Sequence, residues 1–296
     1  MTLPIVYRPV SYATLTPYYI TLDNWTVPAV DGQGTEWWAS TLDGWNGSPD
    51  VRLTGQDRPQ DHGQFDGPTW LGTRMITIAG SAIALDQTTA LLARDIVSSI
   101  CYDPAHLYTL QVTEPGRPTR RAGVRLNAAT KVSGLSEVAF DWQIQLKCPD
   151  PRRYADTETV VTLFPPTGAT GGVQVPLTAP FTLSTSGLST SSATLTNAGT
   201  VATRPIAYLN GPLVDPQIAN VTAMKTLSFT ITIASGDYLA IDFDRRTVLL
   251  NGTASRANTL TSTAAWWELA PGGNDIAYTA GGGAGAAVIR YRSAWL

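Results

Sequence analysis

The residues that could do chemistry in this 296-residue chain are few. Histidine occurs only at His62 and His106. His62 lies in Asp57-Arg-Pro-Gln-Asp-His-Gly63, where Asp57 and Asp61 could join it around a divalent cation. Loops in which Asp and His gather for solvation alone are common, and that is the simpler reading. Asp242 and Asp244 are two apart, so in a strand they share one face. Paired carboxylates can serve as acid and base on a glycosidic bond. Here Arg245 and Arg246 follow at once, beside a hairpin turn, which suggests surface charge neutralisation. Neither histidine sits by a nucleophile motif, and neither G-x-S-x-G nor H-E-x-x-H occurs. Two cysteines, Cys101 and Cys148, make no disulfide framework in a chain this long and read as free buried thiols. The expectation is a protein with no catalysis, no cofactor and no metal.

The other conspicuous side chains suit contact better than catalysis. Five of the nine tryptophans, Trp25, Trp37, Trp38, Trp45 and Trp70, fall in or beside an irregular segment dense in Gly and Asp, residues 28–68. Trp266 and Trp267 are adjacent, so on a strand at most one faces a core. Tryptophan contributes large contact area in cores and interfaces, and its face also stacks on sugars. Trp37, Trp38, Trp45 and Trp267 are therefore candidate interface residues, with Trp267 also a candidate for sugar. Residues 23–66 hold eight acidic side chains against Arg52 and Arg58. An acidic surface repels a polyanion, so Asp31, Glu36, Asp43, Asp50, Asp57 and Asp61 are candidates to line a passage that DNA crosses without sticking.

The elements that must position these residues are mostly strands. Tyr18 to Val27 alternates, and Met75 to Leu85 reads as one bent strand or a strand pair. Asp86 stands at an N-cap position before a helix over 87–100, with Leu92, Ile96, Val97 and Ile100 at helical spacing and Asp103-Pro104 closing it. Strands follow at 107–114, 123–128 and 136–146. In the last, Val138, Phe140, Trp142, Ile144 and Leu146 share one face, opposite Glu137, Asp141, Gln143 and Gln145. Pro149 and Pro151 then mark a stiff connector, which divides the chain into residues 1–155 and 156–296. The second part shows short strands at 160–164, 173–177, 193–196, 204–209, 227–233, 238–243, 247–250, 266–269, 276–278 and 287–291. That pattern, with no helix between, describes a β-sandwich.

Composition narrows the function classes. Charged residues are 15% and the net charge is −3, which excludes a basic nucleic-acid surface and a disordered polyelectrolyte. The N-terminus lacks a basic segment followed by an apolar one, and no apolar stretch reaches the length of a membrane span. The expectation is no signal peptide and no membrane anchor.

Several segments together resemble the distal tail proteins of long-tailed bacteriophages. They are Gly55-Gln-Asp-Arg58 with Arg74-Met-Ile-Thr-Ile-Ala-Gly80, the helix over 87–100, and Cys148-Pro-Asp-Pro-Arg-Arg-Tyr-Ala155. Asn197-Ala-Gly-Thr-Val-Ala-Thr-Arg-Pro-Ile206 and the closing blocks 236–252, 266–278 and 288–295 complete the series. The resemblance implies a mainly β chain, with a tail-tube-like β-sandwich domain carrying one helix over 1–155 and a galectin-like β-sandwich over 156–296. It further implies a structural virion protein at the tail tip, assembled in the host cytoplasm. That protein would form a homohexameric ring that joins the tail tube to the tail-tip hub or baseplate and lets DNA pass unbound. The alternative is a carbohydrate-binding module for host cell-wall glycan, since galectin-like shape alone does not imply sugar binding.

Overall fold

The computed structural model describes residues 18–165 and 191–296, so the expected strand at 173–177 lies outside the described residues. The chain divides into two compact units, Met1–Asp156 and Thr157–Trp295. Both are built mainly from β-strands.

The first unit contains β1 (Tyr19–Leu22), β2 (Trp25–Val27), β3 (Ala29–Val30), β4 (Glu36–Asp43), β5 (Val51–Arg52), β6 (Gln56–Asp57), β7 (Gln64–Phe65), β8 (Trp70–Leu71), β9 (Arg74–Ile83), α1 (Gln87–Ser99), β10 (Tyr108–Thr113), β11 (Arg120–Leu126), β12 (Lys131–Gly134), β13 (Ala139–Cys148) and β14 (Arg153–Ala155). The strands run in the order β2-β1-β10-β11-β13-β9-β4-β3, every pair antiparallel. The ladder turns a corner at β11. Its residues 120–124 pair with β10, while only Arg125 and Leu126 pair with β13. One side of the corner supplies Ile20, Leu22, Leu110, Val112 and Val124 to the core, and the other Trp37, Ile76, Ile78, Phe140, Trp142, Ile144 and Leu146. A strand that changes sheets lets two inner faces close over one core.

β13 is where sequence pattern and structure coincide most closely. Phe140, Trp142, Ile144, Leu146 and Cys148 are all buried, alternating with half-buried neighbours. β9 pairs with it over ten residues as a single strand. Gly80 is required there, because an added Cβ would stand 2.0 Å from the Trp38 carbonyl oxygen and 2.6 Å from Trp142.

α1 begins as expected. The Asp86 carboxylate accepts from the Thr89 amide at 2.7 Å, which satisfies a first-turn donor. Its face differs from the reading by periodicity. Ala90, Ala93 and Val97 are the buried residues of the helix, while Leu91, Leu92 and Ile96 are 53%, 52% and 37% exposed. The small side chains let the helix approach the core closely, and the long ones point away. The helix ends at Ser99, where Ile100 donates back to the Val97 carbonyl and Cys101 takes φ 57°. It stops before Asp103-Pro104.

Two further expectations are corrected. The segment 28–68 is not irregular throughout, since β4 runs through it and pairs with β9 across a bulge at Ala39–Thr41. The connector at 147–155 is not a free spacer. Arg153–Ala155 pairs with β11, and the Arg153 side chain is buried and donates to Asn46 at 2.7 Å.

The second unit contains β15 (Thr159–Leu163), β16 (Ser192–Asn197), β17 (Ile206–Asn210), β18 (Leu213–Val214), β19 (Gln217–Asn220), β20 (Lys225–Ser228), β21 (Thr232–Ile233), β22 (Tyr238–Asp242), β23 (Thr247–Leu250), β24 (Ala254–Ser255), β25 (Gly272–Thr279), β26 (Gly282–Gly283), β27 (Ala287–Tyr291) and β28 (Ala294–Trp295). A sheet ordered β15-β27-β17-β22-β23-β24 and a second ordered β16-β25-β19-β20 share one core, with a small sheet β21-β18-β26 beside them. The expected strand at 227–233 is split into β20 and β21. The expected strand at 266–269 is reduced to one bridge, Leu269 to Thr203.

Asn197 holds the end of this sandwich together. Its side chain is 1% exposed and uses all four hydrogen-bonding positions. The amide donates to the carbonyls of Val201 (2.8 Å) and Leu269 (3.1 Å), and the oxygen accepts from the amides of Gly199 (3.0 Å) and Ala294 (3.2 Å). Gly199 leaves no room for a side chain, since a Cβ there would lie 1.8 Å from the Ala294 carbonyl oxygen. Replacing Asn197 by Ala removes four hydrogen bonds to the backbone, although the Leu269 carbonyl still accepts from the Thr203 amide, and is expected to cost about 3 kcal/mol. The check is a lower urea midpoint at unchanged m-value.

Candidate functional site

The carboxylates with catalytic or metal-binding potential are spent on local structure. Asp242 accepts from the amides of Asp244 (2.8 Å) and Arg245 (3.0 Å) and so closes the turn between β22 and β23. Asp244 and Glu268 each lie 2.7 Å from Arg204, and these contacts, Asp244 first, raise the guanidinium pKa. Asp61 accepts from the His62 amide and stands 3.6 Å from Arg58. Asp57, Asp61 and His62 are exposed on a hairpin, and no group of three or more His, Cys, Asp or Glu that could hold a metal ion occurs among the described residues. Burial pushes the Cys101 thiol up to about 11 and the Cys148 thiol up to about 12, so neither is a ready nucleophile.

The four candidate interface tryptophans are not one surface. Trp37 and Trp45 are 2% and 0% exposed in the first core. Trp37 meets Trp25 and Phe140 edge-on at 5.9 and 5.8 Å, and its indole N–H donates to Asp31 at 3.0 Å. Trp267 is 2% exposed and packs against Phe243 at 4.3 Å. Burial removes these three from any interface and removes Trp267 as a sugar platform. Large aromatic faces beside apolar strands gain more from filling the sandwich than from meeting water. Trp38 stays half-buried on the outward face of β4.

The acidic candidates are likewise scattered over three places. Asp31 is structural. Burial opposes its ionisation, but donation from Trp37 and from the Thr35 and Gln33 amides outweighs this and lowers its pKa. Glu36 and Asp43 sit at the two ends of β4, and Asp43 caps the Gly44 amide. Asp50 immediately precedes β5, and Asp57 and Asp61 lie farther along the same hairpin.

What sequence reasoning missed is a pair of exposed apolar surfaces. The nested hairpins β5–β8 and β6–β7 form an arm over residues 50–72. Leu53, Phe65 and Trp70 on it are 68%, 58% and 61% exposed. The second surface is Leu91, Leu92 and Ile96 on α1. Its signal was the run of Ala90 and Ala93, which offered a closer-packing face than the leucines. The outward face of β9 and β13 is mixed, with Met75 and Ile83 exposed on β9, and Ser81 donates to Asp141 at 2.5 Å.

Residues 198–295 match the siphovirus-type tail component family, by the model of its C-terminal domain. The match starts one residue after Asn197, so it spans the region that Asn197 closes. The whole chain is similar in fold to the crystal structure of the phage SPP1 Dit protein, described as a paradigm of the hub adsorption apparatus in phages infecting Gram-positive hosts. The TM-score is 0.62 at 12% identity, over 94% of this chain and 99% of that one. A chain of the phage P2 baseplate in its activated, calcium-bound conformation matches at TM-score 0.43 and 14% identity, over 93% and 97%. No curated protein matches in sequence. The family match and the fold of the SPP1 Dit protein support the resemblance to phage distal tail proteins, and the fold is mainly β.

Trp267→Ala is expected to cost about 3–5 kcal/mol as a core truncation. Trp38→Ala is expected to cost about 1 kcal/mol or less. Thermal unfolding of the two variants side by side reads the difference.

Proposed function

We propose that the chain is the distal tail adaptor of a long-tailed phage. In this reading the first unit closes into a homohexameric ring between the tail tube and the tail-tip hub or baseplate, and DNA crosses its lumen unbound. The second unit, galectin-like in this reading, sits outside the ring. The assembly forms in the host cytoplasm and ends at the virion tail tip, without catalysis or a membrane anchor. The observation that carries the reading beyond the family match is α1. A helix that buries alanines and exposes Leu91, Leu92 and Ile96 leaves apolar area that a neighbouring copy can cover at every step around a cyclic axis.

The exposed apolar residues of the arm at 50–72 suit a second contact, with the tube or hub protein. The lumen is better supplied by the outward face of β4, β9 and β13 than by the acidic residues alone. Glu36, Ser81, Asp141 and Gln143 lie there beside Lys131 and Lys147, a mixed face in place of the run of cations that grips a phosphate backbone. Asp57 and Asp61 on the exposed arm add repulsion only where the arm approaches the passage.

Assembly tests this directly. Leu92→Asp with Ile96→Asp is expected to leave thermal unfolding within about 1 kcal/mol of the parent, because both side chains are exposed. The same variant is expected to lose the high-mass species in sedimentation velocity. A variant that assembles like the parent would overturn the role given to α1.

A further inference from the structure

With Trp267 buried, any sugar-binding chemistry in the second unit has to lie elsewhere, and one depression on its outer sheet has the required parts. β17, β22 and β27 are neighbours, and Leu209, Leu239, Ile241, Ala287 and Ile289 point from them into the core. Side chains of opposite parity therefore stand on the outer face. Tyr208, Asn210, Tyr238, Val288 and Arg290 line an open depression of about 370 Å³ there. Tyr238 is the cross-strand partner of Asn210, and Tyr208 is flanked by Ala240 and Val288. The two tyrosine rings are 6.0 Å apart at 57°, which makes a V-shaped cleft rather than a closed stack. The small Ala240 beside Tyr208 keeps the cleft from filling.

We propose that this cleft binds a neutral saccharide. The tyrosine faces offer the flat apolar surface on which the C–H side of a pyranose packs. Around them stand two phenol hydroxyls, the Asn210 amide and the Arg290 guanidinium, a mixture of donors and acceptors that matches ring hydroxyls. Arg290 lies 5.4 Å from the Tyr208 ring centroid, so it forms the polar edge of the same wall. Its charge is already answered by Glu158 at 4.0 Å, and both side chains are partly exposed. The site is therefore close to neutral, which favours an uncharged ring over a phosphate or carboxylate. Val288 is the one aliphatic side chain among the described residues lining the depression, and Ile206 and Val160 stand in register with Arg290 at its edge. The inference is independent of ring closure by the first unit, so either can fail alone.

The test is ligand-observed NMR on the full chain, with neutral oligosaccharides of glucose, galactose, rhamnose and N-acetylglucosamine as probes and an oligomeric glycerol phosphate as the anionic control. Saturable binding of at least one neutral probe is expected. Tyr208→Ala and Tyr238→Ala are each expected to weaken it about tenfold or more, a loss of about 1.4 kcal/mol. Tyr208→Phe, which keeps the ring face, is expected to lose less. Trp70→Ala on the arm is expected to change nothing. The tyrosines are half-buried on an outer face, and circular dichroism checks that the variants stay folded. No binding by any neutral probe at about 10 mM would overturn the proposal. So would binding of the anionic control alone, or binding that survives both tyrosine truncations in a folded double variant.

Discussion

Backbone hydrogen bonding at strand ends is the constraint on which the structure depends. A chain made almost entirely of short strands has many ends, and every buried amide or carbonyl there needs a partner. Buried polar side chains supply several of them, Arg74 and Asn197 most extensively. In the first unit the Arg74 guanidinium, in a residue only 1% exposed, donates to the carbonyls of Gly44 and Trp45 at 2.8 and 3.0 Å and also to that of Gly47. Its Nε donates to Pro151 at 2.9 Å. Burial lowers its pKa, yet a guanidinium keeps its charge, and the carbonyl dipoles take the place of water. That one residue fixes the loop ahead of the arm and the segment leading into β14. In the second unit Asn197 does the same with neutral groups.

These two residues also show where a sequence is legible and where it is not. Period two in β13, the strand at β9 and the Asp86 cap depend on neighbours along the chain, and their residues alone announce them. Asn197 was recognisable only as part of a family-like string. Its physical role rests on Leu269 and Ala294, 72 and 97 residues away, which no local pattern reports. The face of α1 was read only in part: Val97 and Ile100 are buried as expected, but periodicity weighs side chains by hydrophobicity and placed Leu92 and Ile96 inside, where the core selected Ala90 and Ala93 for fit. The same priority of packing drew Trp37, Trp45 and Trp267 inside. Each is large enough to fill the space between two sheets, and adjacency to polar residues in sequence does not show this. The cleft at Tyr208 and Tyr238 was invisible for the opposite reason. Its lining residues come from three strands that are neighbours only in the sheet.

The physical picture that results is of a protein whose work is done by faces. Several of its carboxylates close turns or pair with arginines, its thiols are buried, and α1 and the arm at 50–72 are among the places where apolar side chains are exposed. Such a distribution suits a subunit whose folded monomer is one part of an assembly. Rigid sandwiches, tied at their ends by Arg74 and Asn197, present those faces in fixed positions, and a closed ring needs that repeatability at every interface. The proposed cleft on the second unit, with the Arg290–Glu158 pair at its edge, would add a contact toward saccharide.

The most direct measurement is electron microscopy of the purified full chain at high concentration, with native mass read in parallel. The account predicts closed rings of six copies with an open centre. A chain that stays monomeric, alone and with tail-tube or hub protein present, would contradict it.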